Sequence, residues 1–217
     1  NGTFLYASTA NQTLSGVIGG NGVLTKNGSS TLTLSGANSY TGATTVNAGT
    51  LSIQGAQTGS TSYTIASGAV LEWNTASGTR DPGTSTFSGN GTLLKSGGNN
   101  LQWGASAGTF AMGVGSLIDV QGGTFVGGSG ANDNWTNNYS SLNVASGAVF
   151  YGAEASVRVD GLTGNGTVST GYTGYTNAAI TVGVGNSSST FNGTIAGTSG
   201  QTGGMLTKNG TGTFTLA

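Results

Sequence analysis

Apolar and polar residues alternate along most of this chain, in runs too short to be helices. In residues 31–36, TLTLSG, Leu32 and Leu34 fall on one face and Thr31 and Thr33 on the other, because successive side chains of a strand point to opposite sides. In residues 45–53, TVNAGTLSI, Val46 faces one way, and Leu51 and Ile53 resume that face after a Gly turn. Such runs return roughly every 8 to 12 residues, separated by Gly, Asn, Ser and Thr, which predicts an all-β chain of many short strands. Leu32, Leu34, Leu51, Ile53, Val70, Leu93 and Leu101 are the expected core. Trp73, two residues after Leu71, also reads inward, and Tyr151, next to Phe150, reads outward.

The runs recur as sequence. Asn21, Asn90 and Asn165 open similar segments, and GGMLTKNGTGTFTLA closes the chain from Gly203. VNAGTLSI (46–53), IASGAVLEW (65–73), VQGGTFVGG (120–128) and VASGAVFYG (144–152) form a second class. The shift that carries Asn21 onto Asn90 is shorter than the one that carries Asn90 onto Asn165, so evenly spaced propeller blades fit poorly. The first of these shifts also lays Leu34 on Trp103, which makes Trp103 an inward position. Stacked coils with Gly corners and outward Thr, Ser and Asn ladders account for both the alternation and the repeats. The prediction is a right-handed parallel β-helix of roughly nine or ten coils at about 4.8 Å per coil, roughly 45 Å long. It forms one domain over residues 1–217, and the mid-pattern ends, NGTFLYAS and TGTFTLA, read as a segment of a longer chain. A β-sandwich also has short alternating strands, but it gives no reason for these repeats.

Composition narrows what such a chain does. Of 217 residues 43 are Gly, five are Lys or Arg, six are Asp or Glu, and there is no Cys or His. No Ser-His-Asp, Cys-His or His-based metal arrangement can be built from it. Five scattered basic residues make no footprint for nucleic acid. No apolar run reaches the length of a membrane helix, so no membrane insertion by this segment is expected.

Two segments break the pattern. GSGANDNWTNNYSS (128–141) is a polar stretch carrying Asp133, Asn134, Trp135 and Tyr139. An aromatic ring there would stack on a sugar face while Asp and Asn bond its hydroxyls; the alternative is a turn whose Trp folds back onto the core. EASVRVD (154–160) places Glu154, Ser156, Arg158 and Asp160 on one face by alternation. It reads as a ligand-contacting strip together with Tyr151, or as a solvated face with weak ion pairing. Paired glycosidase carboxylates sit within roughly 5–9.5 Å, whereas residues six apart in a strand lie about 20 Å apart, so this strip is not read as catalytic. Tyr172 and Tyr175 are lesser sugar-contact candidates. No cofactor is expected; calcium would have Asp133 and Asn carbonyls, and one carboxylate is thin for it.

Gly22, Leu24, Thr25, Lys26, Gly28, Leu32, Leu34, Ser35, Gly36, Asn38, Tyr40, Thr41, Gly42, Val46, Gly49, Thr50 and Leu51 together resemble the autotransporter-associated β-strand repeat. Ser30 departs from the family's usual Gly, and Gly204 to Leu216 is a partial second copy. The resemblance implies a bacterial, extracellular or cell-surface β-helix. It also extends to β-helical carbohydrate-binding modules of enzymes that degrade plant cell walls. The favoured expectation is therefore a non-catalytic module that binds a polysaccharide such as xylan, with a covalently linked glycoside hydrolase as partner. The alternative is a structural stalk or adhesin segment of a secreted autotransporter passenger. A β-helical polysaccharide-active enzyme ranks third.

Overall fold

A computed structural model describes residues 2–59, 62–103, 108–128, 133–152, 154–170, 179–197 and 205–217. Among these residues are 24 strands and no helix, hence none long and apolar enough to cross a membrane. The strands are short and their pairings are parallel with the strand one coil away, as in Val23–Lys26 on Thr3–Tyr6 and Thr31–Leu34 on Gln12–Leu14. The chain is a parallel β-solenoid, and the sandwich alternative falls. Its second wall is one continuous sheet of ten strands, from Gln12–Leu14 to Phe214–Leu216, in line with the expected coil number.

A first wall precedes that sheet in every coil, from Thr3–Tyr6 through Thr109–Met112, then through Val157–Val159, Ala179–Val182 and Met205–Lys208. A third wall runs from Asn100–Gln102 to Thr194–Gly197. The coils differ in length: the step from Thr31 to its partner Thr50 is much shorter than the step from Gly164 to its partner Phe191. The walls hold their register because a one-residue slip would turn the apolar face outward, so the corners absorb the difference.

The core is the inward half of each strand. Leu32, Leu34, Leu51, Ile53, Leu93 and Leu101 are fully buried, as are Trp73 and Trp103. Val70 differs from its expectation. It is half-buried on the outer face, because Leu71 and Trp73 take the two inward places of Val70–Asn74. In the first wall Tyr63, Phe87 and Phe110 are in register and their rings stack at 5.2 and 5.5 Å. Stacked pairs of this kind stabilise by about 0.5–1.5 kcal/mol beyond their burial.

The three echoing segments lie on different walls. The segment after Asn21 forms Val23–Lys26 of the first wall, that after Asn90 forms Thr92–Ser96 of the second, and that after Asn165 forms Thr167–Thr170 of the third. A strand, a tight corner and another strand form a unit that suits any wall.

Candidate functional site

The two segments singled out in the sequence meet. Asp133, Asn134, Trp135, Thr136, Glu154, Ala155 and Ser156 line one polar cleft on the outside of the seventh coil. Residues 133–140 are not a free loop. They take the strand place of the first wall: the Asn134 N–H donates to Gly108 O at 2.8 Å, and Phe110 and Tyr139 N–H donate to Asn134 O and Met112 O at 2.8 Å each. On the other side, Asp160 N–H donates to Ser140 O at 2.8 Å.

This placement corrects the reading of Trp135 as a sugar platform. Its ring is 1% exposed and lies 3.9 Å from Phe110 at 16°, the next step of the Tyr63–Phe87–Phe110 stack. Its indole N–H donates to Gly127 O at 2.7 Å. Trp135 is therefore a core side chain that borders the cleft. Asp133 Oδ1 accepts the Gly108 N–H at 2.6 Å, and Asn134 Oδ1 accepts the Thr136 N–H at 2.9 Å. Both side chains brace the backbone. Tyr139 is exposed but lies outside the cleft lining. Tyr151 is half-buried on the outer face of the third wall, between Val126 and Ser169.

The second strip divides. Its strand is only Val157–Val159, so alternation stops before Asp160. Asp160 turns into the corner, 2% exposed, and accepts the N–H groups of Gly185 at 2.7 Å and Ser187 at 3.0 Å. It does not share a ligand face with Glu154 and Arg158, contrary to the alternation. Glu154 borders the cleft with one carboxylate oxygen buried and unbonded. Arg158 lies half-buried beside Thr181 on the first wall. Among the described residues no three carboxylates gather to hold a metal ion, and Asp133 has an oxygen already committed to an amide. Tyr172 and Tyr175 lie outside the described residues.

The charged residues that matter most to the backbone were missed. Lys26 and Lys95 point inward and are 0% exposed. Leu24-Thr25-Lys26 and Leu93-Leu94-Lys95 follow the same in-out-in alternation as their neighbours, so period two was the signal that would have found them. Lys26 Nζ donates to Gly28 O and to Ala48 O at 3.0 Å. Lys95 Nζ donates to Gly97 O and Asn99 O, each at 2.7 Å, and to Gly122 O. Burial lowers both amine pKa values, that of Lys95 to about 8. The Arg80 guanidinium likewise donates to Gln54 O, at 2.9 Å from Nε.

Fold and side chains together define a repeat-built β-solenoid whose charged groups largely serve its own backbone. Residues 24–53 and 206–217 match the family model of the passenger-associated-transport-repeat. That match supports the autotransporter-associated half of the resemblance and lends nothing to the carbohydrate-binding half. No curated protein and no solved structure matches the chain.

Proposed function

We propose that this chain is a structural stalk segment of a secreted bacterial passenger, outside the cell or at its surface. It acts by its length and stiffness, without catalysis and without a resident cofactor. The observation that carries this reading is a passenger-type repeat matched near both ends of the chain, joined by one uninterrupted ten-strand wall. A spacer needs a geometry that adds length in equal steps, and each stacked strand adds about 4.8 Å. The burial of Trp135 also takes away the leading candidate for a sugar-stacking ring.

The chain has no Cys, so spin labels can be placed at will. Thr33 and Thr190 lie on the outer face of the second and ninth strands of the second wall. Labels on a Thr33→Cys/Thr190→Cys variant should report a narrow distance distribution around a backbone separation of about 34 Å, seven strand steps. A broad distribution would contradict a stiff spacer.

A further inference from the structure

Two repeat classes that look independent in the sequence meet around a buried ammonium. The first supplies Lys-x-Gly: Lys26-Asn27-Gly28, Lys95-Ser96-Gly97 and Lys208-Asn209-Gly210. In each case Nζ donates to the carbonyl of the Gly two residues on. The second class supplies the lid from the next coil. Val46 is in register with Lys26 and Val120 with Lys95. Two residues beyond each, Ala48 O and Gly122 O accept from the same ammonium. Both carbonyls precede a glycine of positive φ, Gly49 at 65° and Gly123 at 59°. A Cβ on Gly123 would lie 2.7 Å from Lys95 Nζ, so this Gly keeps room for the ammonium.

The arrangement does not depend on which corner it occupies. Lys26 ends a strand of the first wall and Lys95 lies in a strand of the second. What the two share is the pair of sequences: Lys-x-Gly, then Val-Asn-Ala-Gly or Val-Gln-Gly-Gly one coil later. Lys208 shows the first half of the arrangement in the last described coil. It donates to Asn209 O and Gly210 O of its own turn, and it is exposed.

We propose that the Lys-x-Gly turn and the Val-(Asn/Gln)-x-Gly turn stacked on it form a cation site for a primary ammonium, which the inward lysine fills as a tethered ligand. Such an ammonium has three N–H donors and no acceptor, which matches the three carbonyls around Lys95. Charge-assisted bonds to them offset part of the cost of taking the ammonium out of water. At Lys26 and at Lys95 the site ties one coil to the next without a carboxylate partner, and it goes beyond the stalk reading because it would hold in a polysaccharide-binding solenoid equally well.

Shortening the side chain should leave the site able to take a free ligand. Lys95→Ala should lower the melting temperature, and n-propylammonium should restore part of the loss with saturation. n-Propyltrimethylammonium, with the same charge and no N–H, should restore none; equal rescue by both would overturn the proposal. Lys95→Met keeps the apolar stem and leaves Gly97, Asn99 and Gly122 carbonyls short of a donor. It should melt about 5 °C or more below the parent, and a Met variant as stable as the parent would also overturn the site. Amine acylation of the unmodified chain, read by mass spectrometry, needs no variant to fold. Lys26 and Lys95 should react at least about tenfold more slowly in the folded chain than in the chain unfolded in urea, whereas equal rates would refute burial in a closed site.

Discussion

At the scale of single residues, polar groups in this chain mostly hold backbone. Asp160 and Asp133 accept amides, Lys26 and Lys95 donate to carbonyls, and Trp135 closes an aromatic stack. Trp135→Ala should therefore cost about 3–5 kcal/mol of stability, as a large core truncation does, measured by denaturant unfolding. Alkaline pH should act in two opposite ways. The amine of Lys95 titrates near 8 in the fold against 10.5 in the open chain, so between those values the unfolded state holds more protons and stability rises with pH. Lys26 contributes in the same direction. Burial raises the phenol pKa values of Tyr40 and Tyr63 above 10. Above that pH the unfolded chain loses phenol protons first, and stability falls. Melting temperature should climb from pH 8 to about 10 and then drop; a monotonic fall from pH 8 would show that Lys95 is not desolvated.

At the scale of strands and corners, glycine does two separable jobs. A Cβ on Gly28 would lie 1.9 Å from Ser8 O of the coil before it, whereas Gly68, at φ +79°, has nothing within 4 Å. Gly68→Ala should cost roughly 1–2 kcal/mol from its left-handed backbone alone. Gly28→Ala must separate two coils, and it should unfold at distinctly lower denaturant than Gly68→Ala. Equal midpoints would mean that the coils are not in contact there. The strands were legible because alternation alone separates Leu32 and Leu34 from Thr31 and Thr33. The cleft was half legible. Its residues stood out by composition, but the polar stretch 133–140 hid a strand place, since its pairing is to Gly108, Phe110 and Met112, far off in sequence. Asp160 was misplaced because alternation was extended one residue past the end of its strand.

At the scale of the molecule, the solenoid carries sequence echoes from wall to wall, which is why a fixed period failed in the sequence while the coil count held. The walls tolerate coils as short as that from Val149 to Thr167 and as long as that from Gly164 to Phe191, so register is kept while the corners vary. A stalk of the kind proposed should bind no sugar. Affinity electrophoresis of the purified chain through gels containing soluble xylan, and through a panel of other plant cell-wall polysaccharides, tests this most directly. A stalk segment should migrate as it does in a polysaccharide-free gel, with parent and a folded Tyr139→Ala/Glu154→Gln variant alike. Retardation of the parent by any of these polysaccharides, relieved in that variant, would contradict the stalk reading and place a binding site on the outer face of the seventh coil.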